Sequence, residues 1–584
     1  MTIRDRAITE PTFTTVGDLK TLTAAITQAG ASGRQVRVRG AMHSVRSSIL
    51  TDGSTGTNLV LGGDFTTVQA LNPSPGGLIR AGGGCRIGGD PDEGVPYEQG
   101  FLAWLANRKP DGQSLIDLGG ITHQSIGGFL STGSSGGSLR YAMERQIQRI
   151  VLVDGTGTVR TIDRYQQPDD FAAVGVSMGL FGVIVGVDFT PAPRFAITGK
   201  ESTTTVADGP FQLYQDGPGG LADYLRNQDY CRIMWWPQPK VQKLVTWTAT
   251  RQDLTSGFVP NPYREMGDPD ADPATGYPKA LWEDLLPKLV ATVVLHAFAL
   301  GELAFKYRDS IPSAMGEFLA QTLDAIVTEG VEGLRKVLET AGVSEVMQFG
   351  VDLYFTLLGN RQHNDLARAL FTGIFDSEAA WEGTWSPLIM NGIFLVDDVQ
   401  KKVPLPQRFQ DYGETGLPMD DQISDMLMPT EFTELWLPID QTAKVMGLLR
   451  DHYAAGYAAT GTYACELYAT AATPFWMSPA YNGDVVRVDL FWFARNGDQT
   501  ATEFYTPFWD LLRKANVPFR PHWGKYLPPA QTYGPDYYRS VYPKFDDFLA
   551  MRATYDPKQV FVTDYWRSQL GIPRPGQARG HRAG

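Results

Sequence analysis

A glycine-dense segment constrains the fold of this chain more than any other feature. Residues 119–137, GGITHQSIGGFLSTGSSGG, contain seven glycines among 19 positions. Because glycine has no side chain, its backbone N–H groups can approach an anion closely, as a pyrophosphate site requires. A purely structural cluster of turns is the alternative interpretation. Neither a GxxxxGK(S/T) P-loop nor a GxGxxG placed between a strand and a helix occurs, so the segment predicts a glycine-lined cofactor site outside those two folds.

The same segment formally contains a second motif. Gly133-Ser-Ser-Gly-Gly137 matches the GxSxG nucleophile elbow, whose central residue, here Ser135, is a catalytic serine. An elbow needs a buried strand before that serine, whereas Gly127 and Gly128 interrupt the preceding residues. A serine hydrolase at Ser135 is therefore the alternative hypothesis from a different enzyme class.

Length, charge and composition limit the number of domains and the binding partners that this chain can have. A chain of 584 residues is expected to form about two to four domains. The 64 acidic residues against 51 Lys and Arg give a net charge of -13, which disfavours nonspecific binding to nucleic acid. Hydrophobic residues make up 43% of the chain, enough to form a large core.

Cysteine usage and the N-terminal residues predict a cytoplasmic protein. Cys85, Cys231 and Cys465 are too few and too scattered for a disulfide framework, and no two of them have CxxC spacing. The first residues, MTIRDRAITE, lack the apolar core of a secretory signal. We therefore expect a chain that folds in a reducing compartment.

Two further features bear on metals and membranes. His123 and His363 have no partner at metal-ligand spacing, so no metal is expected. The most apolar stretch, residues 289–305, includes His296 and Glu302 and is shorter than the roughly 20 apolar residues of a membrane span. It predicts a buried or interfacial helix and leaves contact with a membrane surface open.

Hydrophobic periodicity predicts a mixed α+β arrangement. In the N-terminal part, apolar residues follow helical spacing over residues 18–29 and alternate as a strand over 35–39. Two apolar runs flank Asp154-Gly-Thr-Gly157, which predicts a β-hairpin. The other predicted elements are strands at 58–61, 78–81, 115–118, 465–469 and 485–493, helices near 97–105 and at 503–514, and a helix-rich block at 279–380.

Several segments, in a fixed order, resemble the vanillyl-alcohol-oxidase-type, or PCMH-type, FAD-linked oxidases. The FAD-domain segments are VRVRGAMHS (36–44), IDLGGITHQSIGGFLSTGSSGG (116–137), RIVLVDGTGTVRTI (149–162) and GLFGVIVGV (179–187). The C-terminal segments resemble the aldonolactone oxidase and alditol oxidase branch and are CELYATAATPFWMSPAYNGDVVRVDLFWF (465–493), RPHWGK (520–525) and YDPKQVFVTDYWRSQLG (555–571). The two regions that these segments span, 36–187 and 465–571, cover nearly half of the chain.

This resemblance implies an α+β fold in two parts. A PCMH-type FAD-binding domain is expected at residues 12–195, completed by a C-terminal segment at 531–571 that returns to it. Between them, an α+β substrate (cap) domain is expected at 196–530, with a helical insertion at about 279–380 that could roof a larger cavity. A disordered tail is expected at 572–584.

The implied cofactor is FAD. In that family the histidine of the first motif usually carries FAD covalently, and the corresponding residue is His43. Gly119 occupies a position where bulkier residues in relatives exclude dioxygen, which favours an oxidase over a dehydrogenase with another electron acceptor. The other implied cofactor residues are Arg39, Gly40, Ala41, Met42, Ser44, Gly120, Thr122, Ser125, Gly127, Gly128, Thr132, Gly133, Ser134, Gly136, Gly137, Gly182, Val183, Ile184 and His522.

The resemblance also implies a reaction, the oxidation of a CH–OH group with reduction of dioxygen to hydrogen peroxide. Ser125, Glu466 and Lys525 match residues that face the substrate; Glu466 is expected to take the hydroxyl proton and Lys525 to stabilise negative charge on the flavin. Relatives have Glu-x-Arg where this chain has Glu466-Leu-Tyr468, and a phenol is not a bidentate cation. This departure predicts a small-molecule alcohol less polar than a sugar lactone or alditol, with Tyr468 as a candidate proton acceptor.

Overall fold

The computed structural model of the protein describes residues 13–575, apart from residues 264–395, 398–405, 422–429, 456–461 and 494–499 and positions 73, 75, 91, 92 and 239. The predicted helical insertion at about 279–380 lies outside the described residues, as do residues 576–584 of the predicted tail. Among the described helices, none is long and apolar enough to cross a bilayer.

A small parallel sheet begins the described chain. It has the order β1-β3-β2, and its strands are β1 (Phe13–Val16), β2 (Val36–Arg39) and β3 (Thr57–Leu61). Helix α1 (Leu19–Ser32) joins β1 to β2; the Asp18 side chain accepts the Thr21 N–H at its start, and Gly33, at φ 65°, ends it. Its buried residues, Leu22, Ile26 and Ala29, confirm the predicted helix, whereas Leu19, the first apolar residue of the predicted stripe, is exposed. A short helix, α2 (Arg46–Ile49), follows β2.

A five-stranded antiparallel sheet packs next to it in the order β4-β5-β9-β7-β8. Its strands are β4 (Val68–Ala70), β5 (Ile79–Gly82), β7 (Ile147–Asp154), β8 (Val159–Asp163) and β9 (Gly182–Phe189). The β7–β8 pair is the predicted hairpin, which is confirmed. The nearby helices are α3 (Phe101–Ala106), α4 (Ile126–Thr132) and α5 (Pro168–Gly175).

The strand predicted at residues 115–118 is wrong. Only β6 (Gln113–Ser114) forms a strand there, pairing with β10 (Ala192–Pro193). Side chains satisfy the main chain of Ile116 in place of a ladder, because its N–H donates to Gln146 Oε1 (2.8 Å) and its carbonyl accepts from the Tyr230 hydroxyl (2.6 Å).

A second, eight-stranded antiparallel sheet has the order β14-β11-β13-β12-β16-β17-β15-β18. Its strands are β11 (Phe195–Thr205), β12 (Tyr230–Trp236), β13 (Lys243–Asp253), β14 (Gln407–Tyr412), β15 (Thr430–Pro438), β16 (Thr462–Thr470), β17 (Val485–Phe493) and β18 (Arg520–Pro521). The associated helices are α6 (Leu221–Arg226), α7 (Gly413–Gly416), α8 (Thr442–Ala454) and α9 (Ala501–Lys514). The strands predicted near 465–469 and 485–493 and the helix near 503–514 are confirmed.

Alternation along these strands separates two faces. Cys465, Leu467 and Ala469 of β16 join a hydrophobic core with residues of α8 and α9, so those helices cover one face. Glu466 and Tyr468 lie between them in sequence and therefore point to the opposite face. That opposite face lies against the N-terminal domain, because Thr470 Oγ1 donates to the Gly136 carbonyl (3.2 Å).

The C-terminal helices return to the N-terminal sheets. They are α10 (Ala530–Tyr533), α11 (Pro535–Val541), α12 (Phe545–Tyr555) and α13 (Asp564–Leu570). The Val36 N–H donates to the Val560 carbonyl (2.9 Å), and the Gly155 N–H donates to the Tyr555 carbonyl (2.9 Å). Ile572 is buried beyond the predicted end of the ordered chain at Gly571.

Candidate functional site

A cleft opens between the parallel sheet, the five-stranded sheet and the C-terminal segment. The space between its walls, measured out to its open mouth, is about 760 Å³. The predicted cofactor residues that line it are Arg39, Gly40, Ser44, Ser125, Gly127, Gly128, Thr132, Gly182, Val183 and Ile184.

Close backbone packing explains the glycines of the cleft wall. A Cβ atom at Gly83 would overlap the Ile184 carbonyl, and one at Gly40 would overlap the Ser125 hydroxyl. The Gly127 N–H donates to the Gly83 carbonyl (2.8 Å), so the first turn of α4 lies directly against the end of β5. These positions bring bare main chain to the wall, where a phosphate could approach it.

Arg37 is a lining residue that the sequence motifs do not identify. Its guanidinium donates to the carbonyls of Ser48 (2.6 Å), Met178 (2.9 Å) and Phe561 (3.1 Å). Burial lowers its pKa to about 10, which leaves the group charged at neutral pH. Arg37 thus joins β2, the turn before β9 and the C-terminal segment. No local signal distinguishes Arg37 from Arg39, because both arginines alternate with valine in β2.

The loop after β2 carries His43, and the loop after β18 carries Lys525. Lys525 Nζ donates to the His43 carbonyl (3.1 Å), and the Val45 N–H donates to the Gly524 carbonyl (2.8 Å). Met42 has φ 65°, a left-handed conformation that is uncommon for a residue other than glycine. These hydrogen bonds hold a strained turn just before His43 and bring two predicted site residues together.

Strand register gathers polar side chains on the face of the eight-stranded sheet opposite α8 and α9. Glu466 lies opposite Asp489 and Tyr468 opposite Arg487 in the β16–β17 pair. Asp489 in turn lies opposite Glu434 in the β17–β15 pair. We call these buried residues, together with Arg232 of β12, the sheet-face polar cluster: Arg232, Glu434, Glu466, Tyr468, Arg487 and Asp489.

Glu466 and Tyr468 form a hydrogen-bonded pair within this cluster. The Tyr468 hydroxyl donates to Glu466 Oε1 (3.1 Å). Burial, and then the nearby Asp420, raise the pKa of Glu466 to about 7, while burial and Glu466 raise the pKa of Tyr468 well above its usual value. The raised pKa favours the protonated phenol as a donor to Glu466, and a role of Tyr468 as a proton acceptor stays a prediction.

Two guanidinium groups flank Tyr468. Arg232 pairs with Asp420 and lies 3.8 Å from Glu466 Oε1. On the other side, the guanidinium carbon of Arg487 lies 4.2 Å from the centroid of the Tyr468 ring. The chain lacks an arginine in the Glu-x-Arg position, but neighbouring strands supply cations beside it.

His522 and Ser134 meet where the glycine segment approaches β18. The Gly524 N–H donates to His522 Nδ1 (3.1 Å), so Nε2 carries the proton and donates to Ser134 Oγ (3.1 Å). Burial lowers the pKa of His522 to about 4, which keeps the ring neutral. Since Nε2 is a donor, His522 cannot take a proton from Ser134.

The serine hydrolase alternative at Ser135 is wrong on geometry. Helix α4 ends at Thr132 and is capped by Gly133, at φ 77°, two residues before this serine. A nucleophile elbow needs a strand before the serine and a helix after it. The Ser135 carbonyl instead accepts a hydrogen bond from Arg487 (3.3 Å).

The segment after α7 covers the start of the glycine segment. The Asp420 N–H donates to the Gly120 carbonyl (2.8 Å), and Asp421 Oδ1 accepts the Thr122 N–H (2.6 Å). His123 Nε2 lies 2.8 Å from the Asp421 carbonyl oxygen. These contacts join the loop of the N-terminal domain to the chain that carries Asp420, next to Glu466.

Comparison with known families supports the sequence resemblance. Residues 422–569 match the model of the family described as ALO, D-arabinono-1,4-lactone oxidase. The D-arabinono-1,4-lactone oxidase of Candida glabrata is 30% identical over 141 residues, which are 24% of this chain and 25% of that protein. The L-gulonolactone oxidase of Mus musculus is 22% identical over 165 residues, 28% of this chain and 36% of that protein. The alignments thus span about a quarter to a third of these relatives.

Solved structures match over almost the whole chain. Cholesterol oxidase from Brevibacterium sterolicum, in its His121Ala mutant form, has a TM-score of 0.57 at 13% identity and covers 95% of this chain and 93% of its own. A solvent-stable cholesterol oxidase also has a TM-score of 0.57, at 14% identity, with 96% and 94% covered. The chain has the same fold as these cholesterol oxidases, which confirms the predicted PCMH-type α+β fold class. In this PCMH-type fold, the cleft and the sheet-face polar cluster lie on two sides of the glycine segment.

The remaining predicted cofactor residues lie in loops beside the cleft, and their contact with FAD stays a prediction. They are Ala41, Met42 and His43 after β2; Gly119, Gly120, Thr122, Gly133, Ser134, Gly136 and Gly137 around α4; and His522 after β18. Ser125 lies in the cleft wall, where its side chain caps α4 by accepting the Gly128 N–H. Arg232, Arg487 and Asp489 are site residues that the motifs do not identify, although charged residues at alternate positions in apolar strands are a usable signal.

Proposed function

We propose that this protein binds FAD in the glycine-lined cleft and oxidises a CH–OH group of a polyhydroxylated lactone, with dioxygen as the electron acceptor. The observation that carries the proposal is the buried Glu466, held by the Tyr468 hydroxyl on a sheet face that packs against the glycine segment. The cleft fits FAD because the glycines Gly83, Gly84, Gly127 and Gly128 line its wall, where main-chain N–H groups suit a pyrophosphate.

Each residue has a definable part in this reaction. When bound, FAD would take up the hydride from the carbinol carbon and pass the electrons to dioxygen. Glu466 would take the proton of the reacting hydroxyl, and the Tyr468 hydroxyl would keep its carboxylate oriented. Lys525 would supply the positive charge that stabilises developing negative charge in a buried site.

The substrate we propose is more polar than the Tyr468 substitution alone suggests. The matched relatives are named as oxidases of D-arabinono-1,4-lactone and L-gulonolactone. Arg232 and Arg487 lie on either side of Tyr468, so hydrogen-bond donors for sugar oxygens are present. A peroxide assay with D-arabinono-1,4-lactone, L-gulono-1,4-lactone and apolar alcohols tests this; oxidation of the apolar alcohols alone would contradict it.

We expect the FAD to be attached covalently through His43. His43→Ala should yield protein whose yellow colour is released into the supernatant on acid precipitation, whereas the wild-type colour should remain in the pellet. His123→Ala is a matched control, because the two rings lie 5.8 Å apart and only His43 corresponds to the family's tethering residue. Release of flavin from the acid-treated wild type would disprove the tether.

Gly119→Ala should slow reoxidation by dioxygen at least tenfold without changing the rate of flavin reduction. A Cβ at Gly119 would meet only ordinary contacts, the nearest being the Ile121 carbonyl at 3.5 Å, so the variant should fold normally. The added methyl group should narrow the path of dioxygen to the flavin. Stopped-flow mixing of reduced enzyme with oxygenated buffer measures this rate. Gly447→Ala, where a Cβ meets nothing within 4 Å, is the control. Equal reoxidation rates in both variants would contradict the role of Gly119.

A further inference from the structure

Arg487 and Asp489 of β17 are buried beside Glu466 with incomplete hydrogen bonding. They are 9% and 1% exposed and lie two residues apart on the same face of the strand. Arg487 Nε approaches Asp489 Oδ2 to 3.1 Å, but without the geometry of a hydrogen bond. Within the described part of the chain, neither this Nε nor either Asp489 oxygen has a hydrogen-bond partner.

Polar atoms that are buried and lack a hydrogen-bond partner need a physical explanation. A buried polar group without a hydrogen-bond partner destabilises the folded state, more so if it is charged, so folded proteins contain few such groups. Here a donor and two acceptors occur side by side, on the strand next to Glu466. A ligand that carries adjacent hydroxyl groups offers the complementary pattern, because each hydroxyl both donates and accepts.

We infer that Arg487 and Asp489 form a subsite for adjacent hydroxyl oxygens of a neutral polyhydroxylated substrate. The guanidinium donates to one oxygen, and the Asp489 carboxyl accepts from the neighbouring hydroxyl. The Tyr468 ring and the hydrogen bond to the Ser135 carbonyl hold the guanidinium in place. The inference rests on the proposed function and adds the residues that select the substrate.

The carboxyl groups around the pair disfavour a negatively charged substrate, because each one that is ionised repels an anion, although burial raises the pKa of Asp489 and of Glu466. Among the described residues, the carboxyl groups of the cluster and its ion pairs outnumber the cations. The carboxyl groups are Glu201, Asp420, Glu434, Glu466 and Asp489, and the cations are Arg232, Arg487 and Lys525. A lactone should therefore bind in preference to the aldonate that its hydrolysis produces.

The test is calorimetric titration of anaerobically reduced holoenzyme, in which no turnover occurs. The probes are D-arabinono-1,4-lactone, D-arabinonate and D-arabinitol. Arg487→Lys and Asp489→Asn should each weaken lactone binding at least tenfold. Arg251→Lys and Asp253→Asn are matched controls, since they lie two residues apart on β13 and Arg251 also stacks on aromatic rings; they should change binding less than twofold.

The outcomes separate the subsite from the oxidase reaction. Lactone affinity within threefold of wild type in both Arg487→Lys and Asp489→Asn would overturn the subsite while leaving the oxidase proposal standing. If these variants lose flavin, the wild-type protein alone still tests the subsite. It should bind the lactone at least tenfold more tightly than the aldonate. Equal binding of the two would overturn the inference. If the wild type binds neither lactone nor polyol, the subsite is also overturned, and peroxide assays with other alcohols then decide the proposed reaction independently.

Discussion

Glu466→Gln is expected to lower the rate of flavin reduction at least about 100-fold, the lower end of the contribution of a general base. The amide cannot take the proton of the reacting hydroxyl, although it has nearly the same shape and can still accept the hydrogen bond from Tyr468. Flavin content should stay at the wild-type level because Glu466 lies on the sheet face and not among the cleft-lining residues. Anaerobic stopped-flow absorbance with the lactone measures the reduction rate directly.

The pH profile provides an independent test of the same group. Burial and Asp420 raise the pKa of Glu466 to about 7, and only the ionised form can accept a proton. The wild-type kcat/KM should therefore fall as the pH drops below about 7 and level off above it. Asp420→Asn removes a negative charge near Glu466. It also removes the carboxylate that pairs with Arg232, so the positive charge of Arg232 acts more strongly on Glu466. Both effects should lower the pKa of Glu466 and move the acid limb to lower pH.

Glu414→Gln is the control for the cost of altering a buried carboxyl group. Glu414 is 1% exposed and pairs with Arg194 away from the polar cluster. This variant should lower the melting temperature while its reduction rate stays within twofold of wild type. A Glu466→Gln enzyme that retained more than a third of the wild-type rate, or that kept the acid limb, would exclude Glu466 as the base.

The parts of the fold that the sequence predicts are those encoded by local patterns. The β7–β8 hairpin follows from Asp154-Gly-Thr-Gly157, because turn chemistry acts within a few residues. Helix α1 likewise follows from apolar spacing and the Asp18 cap. The strand predicted at residues 115–118 does not form for a non-local reason. Gln146 and Tyr230, from distant parts of the chain, make the hydrogen bonds to that backbone.

In the candidate site, too, local motifs identify some residues, whereas the pairing of distant strands positions others. His43, Glu466 and Lys525 are identified by motifs, whereas the effect of Tyr468 depends on the strand beside it. Only the β16–β17 register places Arg487 opposite Tyr468, and no local pattern in either strand determines that register. The sequence thus shows that a cation is absent from one position, and the structure shows that a neighbouring strand provides one.

Lys525→Gln is expected to lower the rate of flavin reduction by about 100- to 1,000-fold, as does the loss of one preorganised charge-stabilising donor in other buried sites. Lys525 Nζ donates to the His43 carbonyl and lies 4.0 Å from the centroid of the Phe432 ring, so its charge is held at the loop that carries the proposed tether. Glutamine can still donate to that carbonyl but carries no charge. Lys525→Gln should therefore retain as much flavin as the wild type and show a more negative flavin reduction potential.

Lys444→Gln separates this electrostatic effect from the loss of a lysine hydrogen bond. Lys444 Nζ also donates to a main-chain carbonyl, that of Ala515 (2.9 Å), but at an exposed position on α8. Its replacement should leave both the potential and the reduction rate unchanged. If Lys525→Gln lowers the rate without shifting the potential, the lysine acts by holding the His43 loop in place. An unchanged rate would remove Lys525 from the mechanism.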